Sequence, residues 1–211
     1  MTKSKDRDFN EIMVSELRHR TMNFFNLMSS VLRIKLESSQ HGEDTRKFGY
    51  EILTLIDSFR SIFTQFVYRE ERAPLMAGDL FQQLTKSLRS FPVLDSAEPV
   101  RLDTRIEPLE LPGDSIVPLT LITVESYTNS LKYAFPEHHE GEKEFHIHLR
   151  KKNEQAQLIL RDNGVGLSQG KKKHEPGTGM EIMKSLGVQL RGSIEFLDQG
   201  GTEVRLHFPI D

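Results

Sequence analysis

From Phe9 to Phe66 the apolar residues return every three or four positions, and that period makes long helices the one regular structure open to this part of the chain. Met13, Leu17, Arg20, Phe24, Leu27, Val31 and Ile34 line one stripe of a cylinder, like the seam of a coiled coil. The stripe ends near Glu37, and "SSQHGED" supplies turn chemistry, with Gly42 as breaker and Asp44 or Thr45 as the next N-cap. Phe48, Ile52, Leu55, Ile56, Phe59, Ile62, Phe63 and Phe66 carry a second helix to about Glu71, where Ala73-Pro74 stops it. The expectation is an antiparallel hairpin over residues 1–72, each helix about 25 to 30 residues and roughly 40 Å long. Two helices cannot cover both phenylalanine-rich seams. Pairing with a second copy into a four-helix bundle is the simplest remedy, and packing of the hairpin on its own C-terminal domain is the alternative.

Beyond Pro74 the pattern changes to short elements. A strand near Leu75 and a helix from Gly78 to Ser90 are followed by strand-like "VRLDTRI" and a long helix from Asp114 to Phe135. "EFHIHLRKK" and "AQLILRD" alternate as strands, a helix spans Thr178 to Leu190, and "GSIEFL" and "TEVRLHF" close the chain as strands. This is an α+β pattern for residues 73–211, with strands covered by helices on one face.

Composition removes several classes of function. At 211 residues, with 36% hydrophobic and 28% charged, the chain has room for one large domain or for a medium domain plus a helical appendage. A net charge of -3 lacks the basic footprint of a nucleic-acid binder, and Lys171-Lys172-Lys173 is too short to restore it. The absence of cysteine excludes disulfide scaffolds and thiolate zinc sites. No apolar run approaches the roughly 20 residues of a membrane span, and no signal-peptide core follows Met1, so a cytoplasmic location is expected.

Three stretches of the second region carry chemistry. "ESYTNSLKYAF" sets Glu125, Asn129 and Lys132 on one helical face. A carboxamide oxygen there can coordinate Mg²⁺, an ammonium can meet phosphate, and a carboxylate can hold metal-bound water or orient an attack. "RDNGVGL" ends a strand at Asp162 and turns through Gly164 and Gly166, where missing Cβ atoms admit a flat ligand and the aspartate can accept from an adenine amino group. "KKKHEPGTGMEIM" brings Gly177, Thr178 and Gly179 to the opening of a helix, whose free N–H groups can hold phosphate oxygens. Each stretch taken singly is also an ordinary turn or cap. In the first helix "SELRHRTMNFF" holds His19, which lies two residues past Leu17, about 200° around the cylinder, and so faces solvent. Glu16 and Asn23 share its face. His146 and His148 alternate onto one strand face but bring no third ligand for a metal, and His138-His139 reads as a polar loop.

Jointly and in this order, the three stretches resemble the N, G1 and G2 boxes of the histidine-kinase ATP-binding domain, the Bergerat fold shared with gyrase, Hsp90 and MutL. "GGTEVRLHFP" resembles its closing strand, with Thr202 beside the adenine pocket, and "HRTMN" looks like the His-Arg-x-x-Asn phosphoacceptor box of one two-component subgroup. The resemblance covers Phe9 to Pro209 and implies an α/β-sandwich ATP-binding domain behind a dimerisation hairpin. It implies that ATP and Mg²⁺ are bound by Asn129, Lys132, Tyr133, Asp162, Gly164, Gly166, Gly177, Thr178, Gly179 and Thr202, with Asn129 holding the metal. It further implies that His19 takes the γ-phosphoryl group, helped by Glu16, Asn23 and Glu125, and passes it to an aspartate of a response-regulator receiver domain.

The chain departs from the family pattern at two places. Met22 replaces the lysine common before the box asparagine and removes a charge near the acceptor, and Ser130 replaces the usual alanine after Asn129, an exchange that looks harmless. No sensor domain is legible, so sensing falls to a separate protein or to another part of a longer chain. The alternative function is a non-catalysing histidine phosphotransfer or regulatory module with a structural ATP domain. A serine kinase acting on an anti-sigma antagonist would share the ATP domain but leave the hairpin unexplained.

Overall fold

The computed structural model describes residues 75–89, 99–136, 138–139, 141–169 and 178–210. The expected hairpin, with Glu16, His19 and Asn23, lies outside the described residues, as does Gly177.

Strand β1, Leu75–Met76, leads directly into helix α1, Ala77–Arg89. Leu80, Phe81, Leu84 and Leu88 recur at helical spacing and are buried, while Asp79 in the first turn and Lys86 and Arg89 in the last complement the helix dipole. Strands β2, Arg101–Ile106, and β3, Glu110–Leu111, precede a 3₁₀ turn and helix α2, Ile116–Tyr133. Strands β4, Glu144–Lys152, and β5, Gln155–Asp162, form an antiparallel pair. A four-residue helical turn, α3 (Gly166–Gln169), and helix α4, Thr178–Gln189, come before β6, Ser193–Asp198, and β7, Thr202–Pro209.

The main sheet has the order β2-β4-β5-β7-β6, with β2 parallel to β4 and every other pair antiparallel. Strand alternation separates its faces. Leu102, Phe145, Ile147, Leu149, Leu158, Leu160, Val204, Leu206 and Phe208 point to one side and are buried. Helices α1, α2 and α4 lie against that side, as expected for a sheet covered on one face. Helix α2 is buried almost all round, including Ile116, Leu119, Ile122, Val124 and Tyr127. Its buried Thr120 and Thr123 hydroxyls donate to the Ile116 and Leu119 carbonyls, each at 2.8 Å, so neither is left unpaired. Tyr127 meets Phe145 edge to face, centroids 5.2 Å apart, and burial pushes its phenol up to about 12.

The other face is a polar lattice. Arg150 Nε donates to Gln157 Oε1 at 2.8 Å, Gln157 Nε2 and His207 Nε2 are 2.6 Å apart, and Arg205 bonds Glu203. Burial, helped by neighbouring Lys152, holds the His207 imidazole below its usual value.

The described elements correct the sequence reading in detail. The long helix starts at Ile116 rather than Asp114, because Gly113–Ser115 winds as a 3₁₀ turn with Ser115 Oγ donating to Pro112 O at 2.6 Å. It ends at Tyr133 rather than Phe135, because the Ala134 carbonyl is taken by the Val165 N–H at 3.0 Å. Strand β3 and turn α3 were not expected, since two- and four-residue elements are too short to show a period. Among the described residues no helix is long and apolar enough to cross a membrane.

Candidate functional site

Asp162 ends β5 on the helix-covered side of the sheet, opposite Phe145, and only 2% of it is exposed. A buried carboxylate is costly unless donors meet it. Three do so. Its Oδ1 accepts the Gly164 N–H at 3.0 Å and the Thr202 N–H at 2.9 Å, and its Oδ2 accepts the Ser130 hydroxyl at 2.8 Å. The chain after β5, the start of β7 and the last turn of α2 thus converge on one side chain. A carboxylate offers about four lone-pair sites, so Oδ2 retains one acceptor position for a further donor.

Close backbone approach explains the glycines around it. A Cβ on Gly164 would stand 2.2 Å from the Ala134 carbonyl oxygen, so no larger residue lets this loop lie against the end of α2. Gly166 has φ +77°, a left-handed conformation that favours glycine, and lies against Asp198. Gly201, absent from the sequence-based site, would bring a Cβ within 2.0 Å of the Asp162 carbonyl oxygen. The loop is tied back to the sheet by Asn163. Its Oδ1 accepts the Glu144 N–H and its Nδ2 donates to Glu142 O, both at 2.8 Å.

On the same end of α2, Glu125 is buried and Asn129, next to Ser130, is half-buried. Gly179, at the opening of α4, lies against both: a Cβ there would come within 2.2 Å of Glu125 Oε1 and 3.4 Å of Asn129 Nδ2. The start of a twelve-residue helix is therefore set beside a carboxylate and a carboxamide, where the partial positive charge of its N-terminus can serve an anion. Lys132 and Tyr133 are exposed at the end of α2, Tyr133 at 58%.

The structure thus brings Asp162, Gly164 and Thr202 into one cluster and Glu125, Asn129 and Gly179 into another, joined through the last turns of α2. Thr178 opens α4 next to Gly179. Thr202 takes part through its backbone N–H. Ser130, read from the sequence as a harmless exchange, instead bonds the central carboxylate, and nothing local links positions 130 and 162.

No protein-family model matches the sequence, and no curated protein matches it. Solved structures do. The blue-light activated histidine kinase EL346 of Erythrobacter litoralis superposes with a TM-score of 0.64 at 18% identity over 93% of this chain. This chain spans 58% of the length of that protein. The histidine-kinase domain of the same protein gives 0.61 at 14% identity, covering 91% of this chain and 94% of that one. The Acinetobacter baumannii histidine kinase AdeS gives 0.52 at 14%, covering 92% and 98%. The chain therefore has the fold of histidine-kinase domains, a mixed α+β sheet with helices on one face.

Proposed function

We propose that this chain is an ATP-dependent protein-histidine kinase of two-component signalling. The observation that carries the reading is Asp162, buried at the focus of three donors with an acceptor position left on Oδ2, in a fold similar to histidine-kinase domains. The residues fit a purine nucleotide. Asp162 receives the adenine amino group beside the Thr202 backbone, and the glycines at 164 and 166, whose missing Cβ atoms face Ala134 and Asp198 rather than a ligand, let the loop that borders the ring close against the protein. Asn129 offers its carboxamide oxygen to Mg²⁺, Lys132 and the opening of α4 receive phosphate oxygens, and Glu125 orients the reacting groups. Tyr133 borders the nucleotide from the end of α2. Mg²⁺ held through Asn129 would supply neutralisation of developing phosphate charge, and the protein supplies in-line positioning.

On this reading a neutral imidazole nitrogen of His19 attacks the γ-phosphorus, ADP leaves, and the phosphoryl group passes to an aspartate of a response-regulator receiver domain. Glu16 orients the imidazole and Asn23 the phosphoryl group. A homodimer through the hairpin presents the acceptor, and a separate protein supplies the signal. A second reading, a phosphotransfer or regulatory module with a structural ATP domain, draws on the Ser130 hydroxyl that already takes one of the two acceptor positions of Asp162 Oδ2 and on Met22 in the histidine box.

The test is incubation with radiolabelled MgATP, comparing the native chain with His19→Ala and Asn129→Ala. Label on the native chain alone, lost in acid and kept in base, is the expected result. No label on any of them, with uptake by the native chain from a phosphorylated receiver, selects the second reading. Acid-stable label rejects a phosphohistidine.

A further inference from the structure

His146 and His148 stand two residues apart on β4, which puts both imidazoles on the helix-free face of the sheet. The parallel register sets Asp103 of β2 directly opposite His146. Asp103 Oδ2 lies 3.2 Å from His146 Nδ1 and 3.2 Å from His148 Nε2, and the three atoms all fall within 4.8 Å of one another. A tetrahedral ion with bonds of about 2.0 Å holds its ligand atoms about 3.3 Å apart. Two edges of the triangle already have that length, and modest rotation of the imidazoles closes the third.

We infer that Asp103, His146 and His148 form a binding site for a borderline divalent transition-metal ion, zinc foremost. Two imidazole nitrogens and one carboxylate oxygen suit zinc, cobalt or nickel better than magnesium or calcium, which prefer all-oxygen shells. The surroundings prepare the ligands. His146 Nε2 lies 3.1 Å from Glu144 Oε2, so the tautomer that donates to Glu144 leaves the Nδ1 lone pair facing Asp103. Arg101 bonds the other Glu144 oxygen and holds that carboxylate in place. The two imidazoles stand 76° apart in plane, centroids 5.6 Å apart. Asp103 and His146 are each 23% exposed and His148 30%, enough for an ion to enter and for water to complete its shell. Arg105, 73% exposed, shares Asp103 Oδ2 at 3.2 Å and is free to swing into solvent as the ion binds.

This site is on the sheet face opposite Asp162, so it is separate from the proposed nucleotide site. An ion here clips the outer strand β2 to β4, and binding therefore stabilises the fold as well as filling the site.

The test is a calorimetric titration of the chelator-treated full chain with ZnCl₂, together with Co²⁺ absorption and thermal unfolding. We expect one ion per chain, a four-coordinate cobalt spectrum and a Tm raised by about 5 °C at a hundredfold excess of zinc over Kd. His146→Ala and His148→Ala should each weaken binding at least about a hundredfold, and Glu144→Gln about tenfold with the stoichiometry kept. The double variant His138→Ala/His139→Ala should bind as the native chain does. If His148→Ala fails to fold by circular dichroism, Asp103→Asn serves in its place, because it keeps shape and hydrogen bonding. No binding at submillimolar zinc, equal binding by the native chain and the triad variants, or displacement by millimolar Mg²⁺ would overturn the proposal.

Discussion

Ser130 and Asp162 carry the most information per atom in this molecule. Each lies in a buried setting, and their bond joins α2 to the end of β5 across 32 positions of sequence. Asp162→Ala removes the acceptor for two backbone N–H groups and a hydroxyl. It should cost about 2 to 3 kcal/mol, read as a lower urea midpoint at unchanged m. Ser130→Ala has a different signature. It should cost about 1 kcal/mol, yet free an acceptor site on Oδ2 and tighten ATP binding by about two- to tenfold, measured by calorimetry. Weaker ATP binding by Ser130→Ala would show that the hydroxyl orients the carboxylate rather than competing for it.

At the scale of elements, α2 and α4 meet through a glycine. Gly179 admits the start of α4 to within van der Waals reach of Glu125 and Asn129, so Gly179→Ala must push the helix or the carboxylate aside. The expected outcome is a domain that still folds, destabilised by about 1 to 3 kcal/mol, with ATP affinity at least tenfold lower; fluorescent-nucleotide titration checks it. Gly187, in the last turn of the same helix, meets only side-chain atoms of Ile194 and Leu206 at 3.3 Å and beyond. Gly187→Ala should therefore leave nucleotide affinity unchanged, whatever it does to stability. The elements themselves were largely legible. The i, i+4, i+7 spacing of Glu125, Asn129 and Lys132 placed them on one helical face, and period-2 runs marked β4, β5 and β7. Helix ends were less so, since the Val165 N–H that takes the Ala134 carbonyl belongs to a loop 31 positions away.

For the whole molecule, the seam between α2 and the sheet sets the response to alkali. Tyr127, 2% exposed against Phe145, is pushed up to about 12 by burial, above its unfolded value near 10. A group raised in the folded state contributes stability that is complete below the unfolded value and lost as pH rises through the folded one. Unfolding free energy should thus fall on the order of 2 kcal/mol between about pH 10 and 12, and Tyr127→Phe should flatten that slope in urea titrations at pH 9 and 11. By itself, the order of residues determined what is local: helical and alternating periods, the turn glycines, and the face shared by Glu125, Asn129 and Lys132. Tertiary structure decided what depends on register and approach: Asp103 beside His146 and His148, Ser130 on Asp162, and Gly179 against Glu125. The physical reason is range. Periodicity follows from the geometry of one element, whereas a parallel pairing such as β2 with β4, or a helix laid on a sheet, is selected by the burial of the whole core, and no short stretch encodes it.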